Sequence, residues 1–378
     1  MIRAILVGVG GYGATHIKFF KEGLLPNVEL VAVMDPFAKK APVYPELVAS
    51  GIPIYDDLDL CLTEKKPQLA YISTPIDCHK PQIEICFSHG ISVLCEKPLA
   101  GTPEEIEEIR EMRDRSGCKL GVGFQLSFCD PIHALKQDIR SGLLGKPVHL
   151  KTMTSWRRAE TYYTLSTWKG RMKDAQGFPV RDSILSNATA HYMHNMFFLL
   201  DDEAADFDGV FARSNDIETF DTAIIHGSFR KGGQFTYVAS HSAELESNPR
   251  WIYEFENAVV TYDSNGDGDI RAIFHDGTEK NYGSGNSLKT TSQKDFYMAE
   301  SVEKGIPVRC SVEQIMPFTH LCEQVFNHPE QFQAFPKSLV HVSEDKIHLV
   351  TGLYEIMERC YTEGRLPNEA ERAALGLH

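Results

Sequence analysis

Apolar and polar positions follow two alternating periods along the first 125 residues. Apolar runs such as RAILVGV, VELVAVMD and QLAYIST are typical of buried strands. Between them, GATHIKFFKEG at 13–23 and DCHKPQIEICFSHG at 77–90 place apolar residues at helical spacing. This alternation of strand and helix predicts a parallel sheet with helices on both faces, the doubly wound α/β class.

Two more strand-like runs, ISVLCEKP and KLGVGF, complete this region. The helical segment between them carries its own start signal. Thr102 is followed by Pro103 at the first helical position and by Glu105 at the third, the pattern of a capping box. We therefore predict one α/β domain over residues 1–125.

The pattern changes after residue 125. One helical segment, PIHALKQDIRSGLLG, leads into longer runs that alternate apolar with polar residues, among them HLKTMTSW, DTAIIHGSF, GQFTYVASHSAE and RWIYEFENAVVTYD. Such alternation is typical of an antiparallel sheet with one solvated or partner-covered face. Helical patterns return at 292–304 and 338–362. Residues 126–378 are thus predicted to form an α+β domain for substrate binding and oligomerisation, whose C-terminal helix packs back on the first domain.

Composition excludes several classes of partner. The chain of 378 residues has 38 Lys and Arg against 52 Asp and Glu, a formal charge of -14. A nucleic-acid partner is disfavoured because phosphate binding needs a basic face. No apolar run approaches the roughly 18 residues of a membrane span, and no cleavage pattern follows the N-terminus. The nine cysteines are scattered without a C-x-x-C pair, as reduced thiols of a cytoplasmic protein are.

The glycines after the first strand have the spacing Gly-x-Gly-x-x-Gly, at Gly8, Gly10 and Gly13. In this context the first glycine permits a tight turn, the second leaves room for a pyrophosphate, and the third lets helix and strand pack closely. Asp35, 22 positions past Gly13, can accept hydrogen bonds from the adenosine ribose. We therefore predict a dinucleotide-binding Rossmann domain that prefers NAD to NADP. Lys39 and Lys40 leave NADP open.

Three further motifs, STPIDCH at 73–79, CEKPLA at 95–100 and NATAHYMHN at 187–195, complete a pattern that covers nearly the whole chain. Together with the glycine motif it resembles the glucose–fructose oxidoreductase/inositol dehydrogenase (Gfo/Idh/MocA) family. The resemblance implies a Rossmann domain followed by a mostly antiparallel α/β domain. It also implies an NAD(H)-dependent oxidoreductase acting on a secondary alcohol of a sugar, inositol or sugar derivative.

The resemblance also implies roles for individual residues. Lys97 and His191 are the expected catalytic groups, which carry the hydroxyl proton while hydride moves. His194 is expected to be a core histidine. The residues expected to contact the cofactor are Gly8, Gly10, Gly11, Tyr12, Gly13, Asp35, Thr74, Pro75, His79, Glu96 and Lys97.

Other positions depart from the family pattern. Asn187 stands where many members have an acidic residue four positions before the histidine, so a paired Asp/His base is not expected. The segment 155–174 is rich in Trp, Tyr and Arg. Within it, Arg158, Tyr163 and Trp168 are expected to neighbour the substrate or nicotinamide, with packing under a long loop as the alternative. Asn187 and His191 are also expected to hold substrate.

Two alternatives remain open at this stage. A redox-neutral enzyme with retained NAD, which cleaves a glycoside or epimerises a sugar, fits the same motifs. A non-catalytic dinucleotide sensor is favoured by Asn187 and disfavoured by Lys97. The stretch DSNGDGD at 263–269 resembles a calcium loop, but position twelve is Phe274, so we predict a hairpin turn and no metal. A homodimer or homotetramer is expected.

Overall fold

A computed structural model describes residues 1–378, and it contains seventeen strands and twelve helices. The strands are β1 Ile2–Val7, β2 Val28–Met34, β3 Ile54–Tyr55, β4 Leu69–Ile72, β5 Ser92–Cys95, β6 Leu120–Val122, β7 Pro147–Ser155, β8 Ala204–Arg213, β9 Thr222–Phe229, β10 Gln234–Ser240, β11 Ser247–Phe255, β12 Ala258–Asp263, β13 Asp269–Phe274, β14 Glu279–Ser284, β15 Phe332–Ala334, β16 Val340–Val342 and β17 His348–Val350. The helices are α1 Gly13–Lys21, α2 Tyr44–Ser50, α3 Leu58–Lys65, α4 Ile76–Ser88, α5 Pro103–Ser116, α6 Asp130–Arg140, α7 Thr161–Thr164, α8 Ala190–Leu200, α9 Leu288–Lys304, α10 Val312–Phe326, α11 Leu353–Glu363 and α12 Glu369–Ala374.

The chain divides into two compact units, each built from two stretches of sequence. The first comprises Met1–Asp130 and Ser287–Met316, and the second comprises Pro131–Asn286 and Pro317–His378. The division near residue 125 was thus only part of the organisation, because the chain returns to the first unit at residue 287. The returning stretch contains α9, which packs against α1, β1, β4 and β5.

The first unit is built on a six-stranded sheet in the order β3-β2-β1-β4-β5-β6, with every pair parallel. This confirms the doubly wound Rossmann sheet. β1, β4 and β5 are buried on both faces, which explains their uninterrupted apolar sequences. The order reverses beside β1, between β1 and β4, and ligands of such sheets bind at this point beyond the carboxyl ends of the strands.

The predicted start of α5 is confirmed. The Thr102 hydroxyl accepts a hydrogen bond from the Glu105 amide at 3.3 Å. The Glu105 carboxylate reaches back to the amide of Gly101, one residue before the cap, at 3.2 Å. The helix ends at Gly117, whose φ of 69° belongs to the left-handed region.

The second unit contains a nine-stranded sheet in the order β14-β13-β12-β11-β7-β10-β9-β8-β15. All pairs are antiparallel except β7 with β10 and β8 with β15, which confirms the mostly antiparallel prediction. The segment 338–362 is not one helix. Its first part forms the two-stranded pair β16 and β17, and only the last part is helical, as α11.

Some expectations about single features can be checked directly. β12 and β13 form an antiparallel hairpin whose connection contains Asn265 and Gly266, as predicted. All nine cysteines are free thiols, and seven of them are buried. No helix combines the length and apolar character needed to cross a membrane.

Candidate functional site

The glycine-rich loop between β1 and α1 is shaped by contacts that only glycine permits. Gly8 has a φ of 87°, and a Cβ there would lie 2.7 Å from the carbonyl oxygen of Ser73. A Cβ on Gly13 would collide with the carbonyl oxygen of Gly8. At Gly10 a Cβ would meet nothing within 4 Å. The outer two glycines are therefore required by the fold itself, whereas Gly10 borders open space that a ligand can use.

The Asp35 carboxylate is bonded to the same loop. One oxygen accepts from the Val9 amide at 2.9 Å, and the other accepts from the Phe37 amide at 2.8 Å. Val9 stands between the first two glycines, so the strand end of β2 is tied to the loop. Each carboxylate oxygen retains a second lone pair for a ribose hydroxyl.

These features fit a dinucleotide. Nothing occupies the position of a Gly10 side chain, and Gly11, with a φ of 50°, is equally open. In the first turn of α1 the amides of Gly13 and Thr15 already donate to the carbonyl oxygens of Gly10 and Tyr12, so the Ala14 amide and the positive end of the helix remain to attract a diphosphate. The site that sequence reasoning placed at residues 8–13 and 35 is therefore assembled within one unit.

The carboxyl ends of β4 and β5 lie side by side in this sheet. Thr74, after β4, donates its hydroxyl hydrogen to Gln82 at 2.6 Å, and Pro75 is exposed. His79, on α4, is 1 % exposed. Its Nε2 lies 3.0 Å from the Thr74 carbonyl oxygen, and its Nδ1 lies 3.0 Å from that of Pro98. His79 therefore links the turns after the two strands, and its cofactor contact stays a prediction.

Glu96, the residue directly before Lys97, also faces inward. It is 9 % exposed and forms an ion pair with Lys294 of α9, whose side chain is completely buried. His16 of α1 lies between Glu96 and Asp295, with Nε2 3.3 Å from Glu96 and Nδ1 2.7 Å from Asp295. The Glu96 carboxylate is thus held by cationic groups inside the unit, and its cofactor contact stays a prediction. Lys97 itself is half-buried at the end of the strand.

The glycine loop joins this network through Tyr12. The Lys294 ammonium lies 4.1 Å from the centre of the Tyr12 ring, and the Tyr12 hydroxyl donates to Gln125 at 3.2 Å. A cation over an aromatic face is attracted to it, more strongly where water is excluded. One buried lysine therefore contacts both the dinucleotide loop and the strand end that carries Lys97.

The buried charges shift one another's pKa values. Burial alone would raise the pKa of Glu96, but Lys294 and His16 lower it well below its ordinary value. Burial opposes the charge on Lys294, yet Glu96 raises the pKa of that ammonium above its ordinary range. Burial would also lower the pKa of His16, but the charge of Asp295 and the bonds to Asp295 and Glu96 together raise that pKa above its ordinary value. When His16 is protonated, the negative charges of Glu96 and Asp295 are balanced by the positive charges of His16 and Lys294.

Sequence reasoning did not identify His16, Lys294 or Asp295. A signal was present, however. In the predicted helix 292–304, Lys294 is separated from Met298 by four residues and lies on the same buried stripe. A lysine on an apolar stripe requires a buried partner.

In the second unit, Asn187 lies in a single π-helical turn, Ile184–Ala188, which ends just before α8. Its amide nitrogen donates to Asp182 at 2.7 Å, and the other Asp182 oxygen accepts from the Gly170 amide at 2.6 Å. Because a carboxylate only accepts hydrogen bonds, the Asn187 NH2 group must face Asp182, and the Asn187 side-chain oxygen faces away from Asp182. The buried Asp182 thus orients Asn187 and holds the 161–170 segment beside it.

His191 lies in the first turn of α8 and is half-buried, whereas His194 is completely buried. Burial lowers the pKa of His194 to about 3, so this ring is neutral at ordinary pH. The sequence expectation of a core histidine at 194 agrees with this burial. His191 stays the predicted proton carrier of this unit.

The aromatic segment 155–170 forms a ring cluster. The Arg158 guanidinium lies 5.7 Å from the Trp156 ring and 5.5 Å from the Tyr162 ring. Tyr163 is only 8 % exposed and packs edge-on against Tyr162 at 5.0 Å. Tyr163 is therefore a buried support of the cluster, Tyr162 is the more exposed of the two rings, and the substrate contact of Tyr163 stays a prediction. Trp168 is half-buried, with the Lys169 ammonium 5.9 Å from its ring.

Comparisons with known proteins agree with this architecture. A family model described as an oxidoreductase family with an NAD-binding Rossmann fold, GFO_IDH_MocA, matches residues 2–124. The rhizopine catabolism protein MocA of Rhizobium meliloti is 31% identical over 157 residues, 42% of this chain and 48% of that protein. Inositol 2-dehydrogenase of Rubrobacter xylanophilus is 32% identical over 157 residues, 40% of this chain and 43% of that protein.

Among solved structures, an oxidoreductase from Agrobacterium radiobacter, in complex with NAD+, L-tartaric acid and magnesium, superposes with a TM-score of 0.74. It is 15% identical, and the match covers 87% of this chain and 96% of that one. At this identity the likeness concerns the fold. The sequence matches span under half the length of the two curated relatives.

Proposed function

Because residues 2–124 match the GFO_IDH_MocA family of oxidoreductases with an NAD-binding Rossmann fold, we propose that the protein is an NAD(H)-dependent oxidoreductase acting on a secondary alcohol of a sugar, inositol or sugar derivative. The observation that carries the proposal is the bond from Val9 to Asp35, which ties an acidic strand end to an open glycine loop. The carboxylate also repels a 2′-phosphate, which supports NAD over NADP.

Each unit supplies groups suited to this chemistry. NAD, when bound, supplies the hydride acceptor. Loss of hydride from an alcohol carbon requires that the hydroxyl proton leave as well, so a nearby base is needed. Lys97 in the first unit and His191 in the second are the proposed proton carriers. The fixed amide of Asn187 is proposed to hold a substrate hydroxyl, in place of the carboxylate that many family members have there.

The curated relatives support a polyol substrate, because one of them is named inositol 2-dehydrogenase. The choice between NAD and NADP can be tested by calorimetry with each dinucleotide. Hydride transfer can be followed by the near-ultraviolet absorbance of reduced nicotinamide against a panel of inositols and sugars. We expect tighter binding of NAD and turnover of at least one polyol. Failure to bind either dinucleotide would refute the proposal.

The role of Lys97 has its own test. Lys97→Met should reduce turnover far more than it reduces NAD affinity, because the ammonium acts on the proton rather than on the diphosphate. A matched control is Lys80→Met, which removes a lysine of the same unit that pairs with Glu108 on the surface. Turnover equal to that of the control would remove Lys97 from the mechanism.

A homodimer or homotetramer remains a prediction. The large sheet of the second unit supports it, since Val148 on β7 and Ile273 on β13 are 48% and 43% exposed. Light scattering that gives the mass of one chain would contradict it.

A further inference from the structure

Two cations of the second unit share one aromatic ring. The Lys169 ammonium lies 3.7 Å from the centre of the Tyr162 ring, and the Arg158 guanidinium lies 5.5 Å from the same ring. All three side chains are half-buried. Attraction to a ring compensates only part of what a cation loses when it leaves water.

Neither cation has a carboxylate within 4.0 Å, although acidic residues outnumber basic ones in this chain. The Arg158 side chain donates one hydrogen bond, to the carbonyl oxygen of Arg157 at 3.2 Å. His241 packs on the same ring at 5.7 Å, but burial lowers its pKa to about 3, so it adds no charge. The cluster therefore has an excess of positive charge.

The nearby carboxylates are committed to other partners. Glu160 pairs with His348 at 2.8 Å. The buried Asp221 accepts from the amides of Ser214 and Asn215. Asp182 takes the Gly170 amide and the Asn187 side chain with its two oxygens. The charge of Asp182 still acts on Lys169 and offsets part of the positive charge of the cluster, but neither Lys169 nor Arg158 forms an ion pair with any of these three carboxylates.

The two cations also lie beside the groups proposed to hold substrate. Asp182 bonds to the amide that directly follows Lys169 and to the side chain of Asn187, so it brings these two segments together. Asn187 in turn precedes His191 by four residues along one helical segment. A substrate hydroxyl at Asn187 would therefore place the rest of the sugar near Lys169.

We propose that Arg158 and Lys169 bind an anionic group of the substrate, a carboxylate or a phosphate, so that the enzyme acts on an acidic sugar rather than a neutral polyol. This inference rests on the proposed function. The guanidinium offers paired N–H donors with the geometry of a carboxylate or phosphate, and the ammonium adds a second charge. Tyr162 keeps both cations in place before the ligand arrives.

The test compares glucose, glucuronate and glucose 6-phosphate as probes, which share one ring and differ in charge. Calorimetry in the presence of NAD measures binding to the wild type and to the variants Lys169→Met, Lys169→Arg and Arg158→Met. Lys173→Met is the matched control, since Lys173 is exposed in the same loop. Turnover of each probe is measured in parallel.

We expect glucuronate and glucose 6-phosphate to bind more tightly than glucose. Whichever of these two acidic probes binds more tightly shows whether the site prefers a carboxylate or a phosphate. Lys169→Met and Arg158→Met should weaken the acidic probes about 10- to 100-fold, the loss typical of a hydrogen bond to a charged group. Lys169→Arg should retain most of the affinity, and Lys173→Met should match the wild type. Glucose binding should fall much less than binding of the acidic probes in Lys169→Met and Arg158→Met.

Two results would overturn the inference, namely equal affinity for neutral and acidic probes, or equal losses for both in the variants. If NAD binds and neutral polyols are turned over while acidic probes are ignored, the anion site fails and the proposed function stands. If no dinucleotide binds, the proposed function fails. The binding comparison then still decides whether the two cations form an anion site.

Discussion

Replacing Lys294 with methionine would leave Glu96 and Asp295 as two buried carboxylates facing one histidine. Removing one partner of a buried ion pair typically costs about 3–5 kcal/mol, because the remaining charge stays out of water. In a domain of this size 1 kcal/mol lowers the unfolding midpoint by roughly 2–4 °C, so the expected fall is roughly 6–20 °C. Thermal and urea unfolding, followed by circular dichroism, measure it.

The pH dependence of this difference tests its electrostatic cause. In the wild type the lowered pKa of Glu96 gives stability that is present above its ordinary pKa of 4.5 and is lost as the pH falls. In Lys294→Met, protonation of Glu96 would instead relieve the buried charge. The difference in unfolding free energy between the wild type and Lys294→Met should therefore become smaller as the pH falls.

The matched control is Lys304→Met on the same helix. Lys304 pairs with Glu300 on the surface, with 58% of its side chain exposed, so the midpoint should stay nearly unchanged. The double variant in which Glu96 becomes leucine as well as Lys294 methionine should recover part of the loss, because no lone charge remains between them. A loss in Lys294→Met no larger than in the control would refute the reasoning.

Four further outcomes follow from the first unit. Gly13→Ala should lower both the unfolding midpoint and NAD affinity, because its Cβ collides with the Gly8 carbonyl oxygen, whereas Gly10→Ala should weaken NAD binding in calorimetry with the midpoint unchanged. The raised pKa of His16 gives stability that is complete below its ordinary value of 6.5 and is lost as the pH rises through the higher folded value, so His16→Gln should flatten that part of the stability profile in urea titrations. Thr102→Ala should lower the free energy of unfolding by about 1 kcal/mol, because α5 loses its N-cap hydrogen bond. An unchanged unfolding free energy in urea titrations would contradict this prediction.

Most of the first unit could be predicted from periodicity, because its strands are continuous apolar runs and the start of α5 is marked by a capping residue. β3 was missed, since two residues, Ile54–Tyr55, carry no period. Residues 338–362 were misread as one helix. The apolar residues of β16 and β17 fall at spacings that suit either structure over so short a span, and only pairing between the two strands decides.

The candidate site was predictable only where a motif is local. The glycine loop and Asp35 lie close along the chain and were found. The partners of Glu96 come from α1 and α9, and nothing in the sequence beside Glu96 indicates a lysine 198 positions away. His79 and Tyr163 were assigned by motif and composition, whereas burial gives them supporting positions. Whether a side chain of a helix or strand is buried depends on tertiary packing, which cannot be derived from a single sequence.

The interrupted first unit has a consequence for synthesis on the ribosome. Residues 131–286 separate its two stretches, and at about 5–20 residues per second they take roughly 10–30 s to translate. Throughout that delay the nascent Glu96 lacks the ammonium group that neutralises it, and one side of its sheet lacks α9. The dinucleotide-binding unit therefore matures after most of the large sheet has emerged, although its strands are made first.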